Sequence, residues 1–165
     1  MRLSRVILAI LVCTFVAQGA IYYFILPDPI AAHFDASGRP DNWWSKSGFF
    51  IFDAVILLFL MVEFTLVPRW IAKTPPSLMN LPNKKYWLAP ERRDETFAVI
   101  RHFFEWFAVL LLTLFTVVNQ LVFRANIGHE NLNGVAIWTT VIIFILAVIV
   151  WLAKLFSHFR IVKNI

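Results

Sequence analysis

Five ionisable side chains lie inside long apolar stretches of this 165-residue chain: Asp53, Glu63, Arg101, His102 and Glu105. A charged side chain at the depth of the lipid hydrocarbon is costly unless it finds a partner or water. Carboxylates beside an arginine and a histidine form structural ion pairs, relay protons or line a pocket for a polar substrate. These residues are therefore the first candidates for a functional site, and all three interpretations stay open on the sequence alone.

The spacing of these residues groups them by helix face and by depth. Arg101 and Glu105 are four residues apart and share a helix face, and Asn119 follows Arg101 after about five whole turns. Glu63 lies about 15 Å further along its helix than Asp53, so it should reach Arg101, whereas Asp53 should lie nearer Asn119. We predict a Glu63–Arg101 pair with Glu105 as a second acceptor. The predicted intramembrane polar cluster comprises Asp53, Glu63, Arg101, His102, Glu105 and Asn119.

Four apolar stretches must position these side chains. The chain is 60% hydrophobic and 15% charged, against about 45–50% and about 25% in soluble domains. The stretches cover residues of about 6–26, 49–70, 97–123 and 135–156, and roughly 20 residues suffice to cross a bilayer as a helix. The sequence therefore predicts an all-α integral membrane protein of one domain, with four transmembrane helices, an external loop 27–48 and a cytoplasmic loop 71–96.

Lysine and arginine residues set the predicted orientation. The loop 27–48 contains only Arg39 and Lys46, whereas the loop 71–96 is strongly basic. By the positive-inside rule, both termini and the loop 71–96 are cytoplasmic. The basic residues that mark the two terminal segments are Arg2, Arg5, Lys154, Arg160 and Lys163.

The net charge of +5 does not indicate nucleic acid as a partner. The basic residues flank the apolar stretches, where they orient helices and contact anionic lipid, so the lipid bilayer is the expected partner. The single cysteine excludes an internal disulfide and a cysteine-based zinc site. No cofactor is expected.

The external loop is dense in prolines, aromatic residues and turn residues, which predicts a folded cap and not a flexible linker. His33, Asp35 and Asp41, with His129 and Glu130, could form a metal site, but their spacing matches no strong template. Solvated or capping polar residues are the preferred interpretation, and no metal is assigned. The candidate recognition residues are Pro27, His33, Phe34, Asp35, Gly38, Asp41, Trp43, Trp44 and Lys46.

The stretch LPDPIAAHFDASGRPDNWWSKS, from Leu26 to Ser47, resembles a membrane-protein domain of unknown function (family 1648) found in SdpI-type immunity proteins. Its pattern is roughly L-P-x-x-I-x-x-H-F-[N/D]-x-x-G-x-x-D-x-W-x-S-K. The segment from Asn80 to Thr96 resembles a second region of some of these proteins. The resemblance implies a bacterial multi-pass protein of the cytoplasmic (inner) membrane. Its best-known members protect a producer cell from its own secreted toxic peptide and can hold a repressor at the membrane.

The chain contains no paired Ser/His/Asp arrangement, no His-Glu-x-x-His motif and no glycine-rich phosphate loop, so no enzymatic activity is expected. We predict a non-enzymatic protein of the immunity or signalling type that recognises a peptide or protein partner through its external loop. Two alternatives remain: a small proton- or ion-coupled transporter, and an accessory subunit of a larger membrane complex.

Overall fold

The computed structural model describes residues 3–160, so Met1, Arg2 and the last five residues, including Lys163, lie outside the described part. Four long helices dominate, and each is long and apolar enough to cross a membrane. The chain is thus a multi-pass membrane protein. Its elements are α1 (Leu3–Ile25), β1 (Ile30–Phe34), β2 (Pro40–Trp44), α2 (Lys46–Lys73), a 3-10 turn (Pro76–Leu78), α3 (Lys84–Trp87), α4 (Arg93–Gly128) and α5 (Gly134–Arg160).

The long helices extend beyond the predicted apolar stretches because polar residues cap and continue them. The Ser45 hydroxyl accepts a hydrogen bond from the Gly48 amide at 3.2 Å and starts α2 at Lys46. With 36 residues, α4 is about 54 Å long and exceeds the roughly 30 Å of hydrocarbon. Asp94 and Glu95 lie in its first turn, where acidic side chains suit the helix dipole.

The central element is α4, which packs against α1, α2 and α5. On α5, the Trp151 indole donates to the Phe103 carbonyl oxygen at 3.0 Å, and its ring stacks on Phe107. The side of α5 opposite Trp151 exposes large apolar side chains such as Ile142 and Ile149. Such a surface suits lipid contact.

A two-stranded antiparallel hairpin connects α1 to α2, so the all-α prediction is incomplete. Ile30 pairs with Trp44 and Phe34 pairs with Pro40, with irregularities in register on both sides of His33. Because those irregularities interrupt the alternation of buried and exposed residues, the sequence shows no clean strand pattern. We call the end of the bundle that carries the hairpin the hairpin end, and the opposite end the basal end.

The segment between α2 and α4 is folded against the basal end. The Trp87 indole donates to the Phe159 carbonyl oxygen at 2.9 Å, and the Thr96 hydroxyl donates to the Trp87 carbonyl oxygen at 2.7 Å. Trp87 and Phe159 are buried in one apolar cluster with Leu88, Phe97 and Ile100. The predicted loop 71–96 is therefore a packed segment that ties α4 to the end of α5.

Candidate functional site

The hairpin is fixed to α4 by the side chain of Asn126. The Ala31 amide donates to Asn126 Oδ1 at 2.7 Å, and Asn126 Nδ2 donates to the Ala31 carbonyl oxygen at 3.1 Å. Both residues are buried, and neighbouring Ile30 packs fully buried against Phe123. The Asn126 amide thus satisfies both backbone groups of Ala31, as a neighbouring strand would.

The turn of the hairpin is fixed to the loop between α4 and α5. The Leu132 amide donates to the Gly38 carbonyl oxygen at 2.8 Å. Gly38 has φ of +81°, and a Cβ atom at this position would lie 2.4 Å from the Leu132 carbonyl oxygen. Glycine is therefore required at position 38 for two reasons: the backbone has a positive φ, and the Leu132 carbonyl oxygen lies too close to leave room for a Cβ atom.

Asp35 holds the turn itself. Its Oδ1 accepts hydrogen bonds from the Ser37 amide at 2.8 Å, the Ser37 hydroxyl at 2.7 Å and the Arg39 amide at 2.8 Å. The Ser37 side-chain bond, followed by the Arg39 backbone bond, lowers the pKa of Asp35 below its ordinary value of 3.8. Asp35 is exposed, yet its side chain is engaged within the turn.

Four of the predicted recognition residues form what we call the exposed face of the hairpin: His33, Asp41, Trp43 and Trp44. The His33 ring hydrogen-bonds to Asp41, and their side chains are 68% and 45% exposed. Trp43 is 53% exposed, and Trp44 is 40% exposed with its ring edge-on to Phe52. This face combines a titratable pair with two large aromatic surfaces.

The other predicted recognition residues face the bundle or the hairpin. Lys46 Nζ donates to the Leu26 carbonyl oxygen at 2.9 Å. Phe34 packs half-buried against the apolar cluster around Phe123, and Pro27 is half-buried. Among residues 3–160, no group of three or more His, Cys, Asp or Glu residues is arranged to hold a metal ion.

A polar layer joins three helices below the hairpin, in the half of the bundle nearer to it. Asn119 Nδ2 donates to Asp53 Oδ2 at 2.7 Å, in agreement with the depth predicted for Asp53. Gln120 Nε2 donates to the Tyr22 hydroxyl at 2.6 Å, and Gln18 Nε2 donates to Gln120 Oε1 at 2.9 Å. This layer joins α1, α2 and α4 through side-chain hydrogen bonds.

A second polar layer lies at the basal end around the buried Glu105 carboxylate. Arg5 Nε donates to Glu105 Oε1 at 2.7 Å, and the Ser4 hydroxyl donates to Glu105 Oε2 at 2.7 Å. His102 Nδ1 lies 3.8 Å from the same Oε2, and the Trp106 indole donates to His102 Nε2 at 3.2 Å. Glu105 therefore joins α4 to the start of α1.

The predicted Glu63–Arg101 pair is wrong: no ion pair joins the two within the described part of the chain. Met61 lines a cavity together with Arg101, and Glu63 lies about 200° further around α2 than Met61. Glu63 is thus on the opposite side of α2 from Arg101. The prediction failed because it used only depth along the helices. It did not take into account the side of α2 on which Glu63 lies.

The sequence interpretation missed Ser4, Arg5 and Asn126. Arg5 was predicted only as one of the basic residues that orient the chain, and its hydrogen bond to Glu105 was not expected. Asn126 lies seven residues after Asn119, which is two helix turns along the same stripe. That spacing is the signal from which Asn126 could have been found.

A family model described as "Domain of unknown function (DUF1648)" matches residues 9–57, which span most of α1, the hairpin and the first half of α2. An "Uncharacterized protein" from Archaeoglobus fulgidus is 29% identical over 144 residues, covering 83% of this chain and 73% of the relative. No solved structure matches the chain. The findings therefore describe a multi-pass membrane protein that is similar to this domain over the hairpin and the helices on either side of it.

Proposed function

We propose that this chain is a non-enzymatic membrane protein of the immunity or signalling type that recognises a peptide or protein partner. The exposed face of the hairpin is the proposed recognition surface. The observation that carries the proposal is the combination of a hairpin fixed at both Ala31 and Gly38 with large side chains left exposed on it. A preformed surface lowers the ordering cost of binding, and tryptophan supplies contact area.

The proposed location is the cytoplasmic membrane of a bacterium, with the hairpin outside and both termini in the cytoplasm. The unequal distribution of lysine and arginine supports this orientation. A hairpin on the outer side would meet a secreted peptide before the peptide reaches the bilayer. The resemblance of the hairpin sequence to immunity proteins supports the same role.

The engagement of the polar groups within the bundle supports a non-enzymatic role. Asn126 holds Ala31, Asn119 holds Asp53, and Glu105 accepts from α1. Groups engaged in this way stabilise the structure, and their bonded donors and acceptors are occupied by other parts of the chain.

Protection of the cell against its own secreted peptide is tested by measuring growth of the organism that encodes the chain. Deletion of the gene should slow growth in medium conditioned by the parent strain, and the wild-type gene should restore growth. Trp43→Ala should fail to restore growth, because it removes the largest exposed surface of the hairpin. The matched control is Trp70→Ala, which removes a tryptophan of comparable exposure at the basal end (60%, against 53% for Trp43) and should restore growth fully.

Two outcomes would reject this function. If the deletion strain grows as well as its parent in conditioned medium, the immunity role is dropped. If Trp43→Ala and Trp70→Ala restore growth equally at equal protein levels, the hairpin is not the recognition surface.

The polar layer below the hairpin favours a second candidate function, a small proton- or ion-coupled transporter. Asp53 is a buried carboxylate held by Asn119 next to a run of amide and hydroxyl groups. Ionisable groups at membrane depth are frequent in proton and ion pathways. Flux in proteoliposomes that is abolished by Asp53→Asn would favour this function over recognition, and absence of flux would exclude it.

A further inference from the structure

A cavity of about 400 Å³ opens at the basal end between α1, α2 and α4. Three arginines from three different helices line it, Arg5, Arg69 and Arg101, together with Glu105. The formal charge of these four side chains is therefore +2. A pocket with an excess of guanidinium groups attracts anions.

The arginines differ in how far the protein already engages them. Arg5 donates to Glu105 at 2.7 Å, which fixes its position and balances its charge. Arg69 and Arg101 are exposed, and neither makes a side-chain hydrogen bond or an ion pair within residues 3–160. The guanidinium N–H donors of Arg69 and Arg101 are thus available to a ligand in the cavity.

Apolar side chains also form part of the cavity wall, namely those of Leu8, Met61 and Phe64. A free inorganic anion gains little from such a wall, whereas an acyl chain buries apolar surface against it. The basal end is also the side to which the charge distribution assigns the cytoplasm, where the membrane leaflet is anionic. Both features favour a phospholipid over a soluble ion.

We propose that this cavity binds the phosphate group of an anionic phospholipid, with Arg69 and Arg101 as its donors. A guanidinium group presents two parallel N–H donors that match two phosphate oxygens. Glu105 holds Arg5 through their hydrogen bond, so Arg5 is not assigned as a donor to the ligand. The shared chemistry is a phosphate anion, and free phosphate is the alternative source.

The test measures retention of added ligand by the purified full chain in neutral detergent, using native mass spectrometry. The probes are phosphatidylglycerol, phosphatidylcholine with the same acyl chains, and inorganic phosphate. The wild type should retain phosphatidylglycerol about tenfold more tightly than phosphatidylcholine, because the choline cation of phosphatidylcholine offsets the phosphate charge and is repelled by the arginines. Arg69→Gln and Arg101→Gln should each weaken phosphatidylglycerol binding about tenfold.

Lys73→Gln is the matched control, because it removes the same charge from α2 one turn further along and outside the cavity. It should leave the preference for phosphatidylglycerol unchanged. Arg101→Lys keeps the charge but removes the paired donors, so it should also weaken binding. This variant keeps the test decisive if Arg101→Gln does not fold.

The possible outcomes distinguish a phospholipid ligand, a free phosphate ligand and failure of the proposal. Binding of inorganic phosphate that requires both Arg69 and Arg101, with no preference among lipids, supports the site and identifies free phosphate as its ligand. Equal retention of the two lipids without phosphate binding overturns the proposal. An equal loss of phosphatidylglycerol in Lys73→Gln also overturns it, because the attraction would then come from overall charge.

Discussion

At the scale of single residues, one stripe along α4 determines how the bundle is assembled. Glu105, Asn119 and Asn126 repeat at multiples of seven residues, and all three are buried. Each bonds a different element: Glu105 bonds α1, Asn119 bonds α2 and Asn126 bonds β1. Because a buried polar group without a partner is costly, these bonds favour one packing arrangement over alternatives.

The contact between Arg5 and Glu105 leads to the first prediction. Arg5→Ala and Glu105→Ala should each lower the free energy of unfolding by roughly 1–3 kcal/mol, since each removes a charge-assisted hydrogen bond. The double variant should lose less than the sum of the two single variants, because both remove the same bond. Unfolding in mixed detergent micelles, followed by circular dichroism, provides the measurement.

Glu63→Gln is the control for this double-mutant cycle. Glu63 lies on the other side of α2 and makes no ion pair within residues 3–160, so its substitution should change stability by less than about 0.5 kcal/mol. Strict additivity of Arg5→Ala and Glu105→Ala would show that the contact does not contribute to stability.

At the scale of elements, the hairpin separates residues that hold it from residues that it displays. Ala31, Asp35 and Gly38 are engaged with the bundle or within the turn. His33 and Trp43, in contrast, are exposed. This division makes the recognition proposal testable, because substitutions in the two groups should have different effects.

Gly38 belongs to the group that holds the hairpin. Gly38→Ala should destabilise the protein by more than about 1 kcal/mol, because alanine is strained at positive φ and its Cβ would collide with the Leu132 carbonyl oxygen. Hydrogen exchange should rise at the hairpin amides.

Gly134→Ala is the matched control, since no atom lies within 4 Å of the added Cβ and alanine favours the helix. It should be neutral or slightly stabilising. Equal melting temperatures for Gly38→Ala and Gly134→Ala would contradict the role of the Gly38–Leu132 contact.

The lowered pKa of Asp35 predicts that the turn weakens in acid. The carboxylate is stabilised in the folded turn, so its contribution is complete above the unfolded value of 3.8 and is lost as the pH falls through the lower folded pKa. Amide exchange at residues 37–39, corrected for intrinsic rates, should therefore be faster near pH 3 than near pH 5. Asp35→Asn keeps an acceptor oxygen and should abolish the difference. If Asp35→Asn still shows faster amide exchange near pH 3 than near pH 5, the weakening of the turn comes from another ionisable group.

At the scale of the whole molecule, long apolar runs predicted the four helices because length and apolar composition together decide whether a segment can span a bilayer. Depth along those helices predicted that Asp53 lies near the height of Asn119, and the two side chains are hydrogen-bonded. Rotation about the helix axis is set by packing, which a single sequence does not show, and so the Glu63 pairing was wrong. The strands were missed because the register irregularities near His33 break the alternation that identifies a strand.

The orientation of the whole molecule yields a further prediction. In a Cys13→Ser background, Ser37→Cys at the hairpin turn should react with a membrane-impermeant maleimide in intact cells. Lys84→Cys, at the basal end, should react only after the cells are opened. The reverse pattern would invert the proposed topology.

The central claim is that the exposed face of the hairpin binds a partner while the polar layers of α4 hold the hairpin in place. The most direct test replaces Trp43 with a photo-crosslinking amino acid in intact cells and uses Trp70 as the control position. We expect a discrete peptide or protein adduct at position 43 and none at position 70. Adding His33→Ala and Asp41→Ala should remove the adduct while the protein level and the melting temperature stay unchanged. Absence of an adduct at position 43, or an equally strong adduct at position 70, would contradict the claim.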